Sequence, residues 1–158
     1  NMSDEMIKDL AKNGGVIQIN FGSDFLRGDI LNRSRNEKME LSEILQRYSI
    51  SSGSIEAEEI RKEYRASNPK VYATISDVAN HIDHVVDLVG IDYVGIGSDY
   101  DGLGDQLPEG LKDVSSYPNL IAELFQRGYK EEDMKKICSG NFIRVWKANE
   151  QARKIKIQ

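Results

Sequence analysis

Apolar positions recur along the chain with two different periods, and the switches between them divide it into elements. Met6, Ile7, Leu10 and Ala11 return every three to four residues and predict a first helix. Ser3 is placed to cap it, Asp4 and Glu5 suit its first turn, and Gly14-Gly15 stops it. Val16 to Phe21 is a short apolar run and reads as a strand at about 16–21. Ile17, Ile19 and Phe21 share one face of that strand, and Gln18 and Asn20 the other. The polar face suits a barrel interior or cleft near its mouth, with Gln18 expected simply to bond its neighbours.

From about 22 to 69 the apolar period weakens and charge dominates. Arg33 to Arg47 reads as a helix with a slim apolar face of Met39, Ile44 and Leu45. Ser54 is placed to cap a second charged helix running to Arg65, with Glu58 and Lys62 at a supportive i,i+4 spacing, and Asn68-Pro69 ends it. This stretch is expected to be a helical excursion out of the core whose charges are solvated.

The helical period returns strongly at Ile75, Val78, Ala79, Ile82, Val85, Val86 and Val89, after Thr74 and Ser76 and before Gly90. A second strand follows at about 93–99. Later helices are predicted from Pro118 with Leu120, Ile121, Leu124 and Phe125 buried, from Glu131 with Met134, Ile137 and Cys138 inward, and from Phe142 with Val145 and Trp146 packed. The terminal Lys/Ile alternation is expected to fray. Helices alternating with buried strands predict an α/β fold with parallel pairing. Two parallel strands cannot close a (β/α)8 barrel, which needs eight strands and roughly 250 residues, so the chain reads as a piece of something larger.

The second strand carries the candidate chemistry. In Tyr93-Val94-Gly95-Ile96-Gly97-Ser98-Asp99-Tyr100-Asp101-Gly102, alternation puts Val94, Ile96 and Ser98 on one face and Gly95, Gly97, Asp99 and Asp101 on the other. Glycine within a strand marks close approach by a ligand or another backbone. A carboxylate just beyond, at the C-terminal end of a strand, sits where α/β folds keep their active sites. His81 and His84 lie on the preceding helix at i,i+3 without an intervening Glu. That spacing disfavours the zinc-pair reading, so one is expected to be buried and hydrogen-bonded and the other to face polar groups.

Composition changes the picture little. The 158 residues make one domain's worth of chain, and 26 acids against 21 bases argue against nucleic acid as a partner. No stretch is long and apolar enough to cross a membrane. Cys138 is the single cysteine, so it has no internal disulfide partner. The chain opens inside a helix-start signal, and its natural N-terminus is expected upstream.

Four ordered segments carry a family resemblance: His81-Ile82-Asp83-His84, Gly95 to Gly102, Pro108-Glu109-Gly110-Leu111 and Tyr117-Pro118-Asn119-Leu120. Together with Asn1 to Glu5, Val16 to Phe21 and Gly140 to Val145, they resemble the C-terminal part of the membrane (renal) dipeptidase family. The resemblance implies that residues 1–158 are the C-terminal portion of a TIM (β/α)8 barrel of the metal-dependent hydrolase type. It implies hydrolysis of dipeptides by water activated at a pair of zinc ions. Asp99 matches the family's strand-end aspartate, implying a catalytic carboxylate that also contacts the substrate. Asn20 and Phe25 match the region over the site mouth and are implied substrate-binding residues; Asp101 is implied to be structural. The family's zinc ligands and a substrate-binding arginine would fall before Asn1, so none of the metal ligands is expected in this chain. The remainder of the barrel is then the implied partner, a homodimer is possible, and the excursion is a candidate lid or subunit contact. Two alternatives stay open: a related barrel hydrolase acting on another amide or a lactone, and a non-catalytic interaction module.

Overall fold

A computed structural model describes residues 1–155. Helix α1 (Asp4–Lys12) starts where Ser3 accepts a hydrogen bond from the Met6 amide, and Gly14 leaves it with a positive φ of 73°. Strand β1 (Ile17–Asn20) follows, then a short turn of helix, α2 (Ser23–Leu26), and the long α3 (Gly28–Arg47). Helix α4 (Ile55–Ser67) is capped by Ser54, and α5 (Ile75–Val89) by a reciprocal box between Thr74 and Asp77. A single 3₁₀ turn leads into β2 (Val94–Ser98). Helices α6 (Tyr117–Gln126), α7 (Glu131–Lys135) and α8 (Asn141–Ile155) complete the order. Of the Lys/Ile tail that was expected to fray, Lys154 and Ile155 continue α8 as helix, and 156–158 lie outside the described residues.

β1 and β2 pair parallel, Ile17 opposite Val94 and Ile19 opposite Ile96, and each pairs only with the other among the described residues. The two predicted strands thus form one parallel ladder, each slightly shorter than its apolar run. The core lies on one side of this ladder. Phe21, Val78, Ile82, Val94, Leu120 and Leu124 are fully buried there, joining the end of β1 to α5, β2 and α6. Burial of each such side chain is worth roughly 1.5–3 kcal/mol, so this layer rather than the two-stranded ladder holds the unit together. Arg127 ties α6 to α5, bonding Asp83 at 2.5 Å and Glu123 at 2.8 Å.

The stretch from 22 to 69 is helical, but its start does not leave the core: Leu26 and Ile30 belong to the buried cluster with Phe21 and Val78. α3 begins five residues earlier than its charge run. Leu41 and Leu45 of α3 and Ala57 of α4 are buried, while Met39 is exposed. The expected Glu58–Lys62 support is replaced by a Glu58–Arg61 pair at 3.1 Å.

Three expectations about the C-terminal helices need correcting. Cys138 is exposed, not inward. Residues Lys136–Gly140 form a π turn, whose extra residue per turn shifts the phase that a regular helix would have kept. Phe125 is 46% exposed because α6 presents Leu120 and Leu124 to the core and turns Phe125 aside. Phe142 and Trp146 are 47% and 57% exposed and stack edge to face on each other, leaving an open apolar face on α8. The buried anchor of α8 is polar: Asn141 donates to the carbonyls of Ile91 and Val94, both at 2.8 Å.

Candidate active site at the strand ends

Gly95 and Gly97 are open, from sequence, to close approach by a ligand or by another backbone. The space beside them is taken by Gln18 on the neighbouring strand. A Cβ on Gly95 would lie 2.6 Å from Gln18 Oε1, and one on Gly97 would lie 3.1 Å from the Gln18 backbone. The glycines therefore answer to close approach of β1, the second of the two meanings of glycine in a strand.

Strict alternation also fails at the end of β2, where Asn20 pairs with Ser98 and Gly97 is passed over. Ser98 and Asp99 then take positive φ values of 45° and 64°. Two successive non-glycine residues in the left-handed region are unusual, and each costs of order 1–3 kcal/mol. The kink separates their roles. Ser98 is buried, its hydroxyl 2.6 Å from that of Tyr117. Asp99 is exposed, and its Oδ2 accepts a hydrogen bond from Asn20 Nδ2 at 2.8 Å. Asp99 thus reaches the Asn20 side of the ladder by a backbone turn rather than by pleating.

Asn20 is committed at both ends of its amide. Its Oδ1 accepts from the Gly22 amide at 2.8 Å, which orients Nδ2 toward Asp99. Phe25 is 47% exposed and lies over Gly22, where an added Cβ would meet its ring at 2.7 Å. Asn20 and Phe25 share a groove of about 580 Å³ along the open edge of β1, with Ile17, Ile19, His81 and Leu26. Asp99 does not line this groove and is joined to it only by its bond to Asn20. Asp101 is exposed in the following turn. Gly102 was not singled out from sequence, yet a Cβ there would lie 2.5 Å from Asp99 Oδ1. The spacing Asp99-x-x-Gly102, typical of a tight turn, was the available signal.

A metal centre needs several ligating side chains converging on one point. Among the described residues no group of three or more His, Cys, Asp or Glu side chains does so. His81 has Nε2 2.8 Å from the Leu26 carbonyl but is half-buried rather than buried, and His84, 2.9 Å from Asp4, faces a polar group as expected. The described residues do not by themselves fit a metal.

The profile of the membrane dipeptidase family, peptidase family M19, matches residues 1–157. The chain belongs to that family. It is 45% identical over 83 residues to Dipeptidase 3 of Mus musculus, an overlap of 52% of this chain and 17% of the mouse protein. Among solved structures, the probable dipeptidase PvdM from Pseudomonas aeruginosa superposes with a TM-score of 0.63 at 30% identity, covering 92% of this chain and 40% of that one. A metallo peptidase from Rhodobacter sphaeroides, liganded with a phosphinate mimic of the dipeptide L-Ala-D-Ala, matches with a TM-score of 0.59 at 27% identity, covering 90% of this chain and 29% of its own. The chain therefore spans well under half the length of these relatives.

Proposed function

We propose that residues 1–158 are the C-terminal portion of a single (β/α)8-barrel domain in a zinc-dependent dipeptidase, and that Asp99 is the carboxylate this portion brings to the active site. In the reaction, water adds to the peptide carbonyl carbon, the C–N bond breaks and a proton reaches the leaving amine. Asp99 moves that proton or holds the dipeptide's free ammonium group by a charge-assisted hydrogen bond. Asn20 and Phe25 line the substrate side of the mouth. The two zinc ions of this reading are held by residues outside this chain.

The observation that carries the proposal is the 2.8 Å bond between Asn20 and Asp99. It joins the C-terminal ends of two parallel strands, where α/β barrels keep their chemistry. The dipeptide mimic bound to the Rhodobacter sphaeroides relative supports the substrate class. The remainder of the barrel as partner is supported by the groove beside β1 and by the apolar face of Phe142 and Trp146 on α8. An unpaired strand edge next to apolar surface is the feature that another strand and helix would cover.

The test is Asp99→Asn in the whole protein, with turnover of Ala- and Gly-containing dipeptides measured beside bound zinc. Most turnover should be lost at unchanged zinc content; undiminished turnover removes Asp99 from the mechanism. Residues 1–158 alone, with zinc added, should be inactive, and robust turnover by them would overturn the partial-barrel reading. A whole protein that opens lactones but spares dipeptides would reassign the substrate.

A further inference from the structure

Asp99 is gripped from two sides by residues that need not touch a substrate. On one side Asn20 Nδ2 donates to Oδ2 at 2.8 Å. On the other, the carboxylate fills the space that a Cβ on Gly102 would take, 2.5 Å from Oδ1, 3.1 Å from Cγ and 3.2 Å from Oδ2. Every side chain other than glycine would push the carboxylate off this position. The same turn is closed by the Gly102 amide donating to the Asp99 carbonyl at 3.2 Å.

Asn20 is itself held. The Gly22 amide can only donate, so it must face Asn20 Oδ1, and the amide nitrogen is left for Asp99. Gly22 in turn starts α2, its carbonyl accepting from the amides of Phe25 and Leu26. The position of α2 is therefore transmitted through one amide side chain to one carboxylate oxygen. Asp99 needs such a mount because it is exposed, sits in a strained turn and receives no other side-chain hydrogen bond from the described residues.

We infer that Asn20 and Gly102 are positioning residues for Asp99: Asn20 anchors Oδ2, and Gly102 supplies the clearance that leaves Oδ1 directed away from the anchor. The inference rests on the proposed role of Asp99. It assigns Asn20 a task the substrate-binding reading does not, since both polar ends of its side chain are engaged within the protein.

Asn20→Asp separates anchoring from local folding. It keeps an acceptor for the Gly22 amide but replaces the donor toward Asp99 with a second carboxylate, which repels it. In the whole metal-loaded protein, Asn20→Asp and Gly102→Ala should each lower kcat by about 10²-fold, the scale of a 1 Å misplacement, with KM little changed. Zinc content and the urea midpoint should stay at parent values for Asn20→Asp. In an Asp99→Asn background, adding Asn20→Asp should lower kcat no further. A crystal structure of the Asn20→Asp protein should show the Asp99 carboxylate moved off Gly102. Parent-like kcat in both single variants, or a full multiplicative loss in the double variant, overturns the inference while leaving Asp99 in place. An Asp99→Asn protein with undiminished kcat overturns the underlying role instead.

Discussion

The hydroxyls of Ser98 and Tyr117 lie 2.6 Å apart and fasten the end of β2, one residue before Asp99, to the first turn of α6. Tyr117 belongs to an edge-to-face cluster with Phe21 and Tyr100, at centroid distances of 6.3 and 5.7 Å. The two tyrosines of this cluster differ in one respect. Tyr100 Oη is buried without a hydrogen-bond partner among the described residues, and burial pushes its pKa up to about 12. Removing the two hydroxyls should therefore have opposite results. Tyr117→Phe leaves the buried Ser98 hydroxyl unpaired and should cost about 1–3 kcal/mol. Tyr100→Phe removes a group that lost its water and gained nothing, and should be neutral or slightly stabilising. Urea unfolding of the two variants checks the contrast; equal losses would refute it.

The glycines of β2 should not be equivalent. A methyl group at Gly95 meets the mobile tip of Gln18, whereas one at Gly97 meets Gln18 Cβ and backbone at 3.0–3.1 Å. A side-chain tip can swing away, but a paired backbone cannot. Gly95→Ala should stay within about 1 kcal/mol of the parent, while Gly97→Ala should cost about 1–3 kcal/mol through overpacking. Thermal midpoints of the two proteins decide it, and a larger loss at Gly95 would contradict the register described above.

The loop after β2 is latched to the exit of the excursion. Tyr72 Oη donates to Asp105 Oδ2 at 2.8 Å and Lys70 Nζ donates to the same oxygen at 3.1 Å. The first of these bonds, then the second, draws the Asp105 pKa below its ordinary 3.8. Burial, and then the bond to Asp105, raises the Tyr72 pKa from 10.0 to about 12. A lowered carboxyl pKa contributes stability above 3.8 that is lost as pH falls toward the folded value. A raised phenol pKa contributes stability below 10.0 that is lost as pH climbs through about 12. The stability gap between the parent and Tyr72→Phe should be flat from above 3.8 to below 10.0 and should shrink beyond both ends. Urea midpoints across pH measure it; a gap that widens toward alkaline pH would contradict the latch.

Much of this architecture was legible because the signals are local. Ser3, Ser54 and Thr74 each precede a helix and each caps it, since a cap needs only a side-chain oxygen within reach of amides two or three residues on. The period of α5 was plain because one helix face meets the core along its whole length. The failures share a cause as well. Cys138 was misplaced because a π turn breaks the helical phase, and nothing adjacent in sequence announces it. Phe142 and Trp146 fit an apolar stripe, but whether a stripe is covered depends on what lies opposite. Glycines 95 and 97 left ligand and backbone approach equally open, because the neighbour that decides it, Gln18, lies on another strand.

Taken by itself, the order of residues determined the α/β class, the two parallel strands, the charged helices α3 and α4 and Asp99 as the carboxylate at a strand end. Each of these follows from side-chain periodicity and turn chemistry within a few neighbours. Only the tertiary structure decided which way Asp99 faces and what holds it. That depends on Asn20, 79 positions earlier in the chain, and on a left-handed turn at Ser98 and Asp99. A hydrogen bond between distant segments has no period, so it exists for the reader only once β1 and β2 lie side by side.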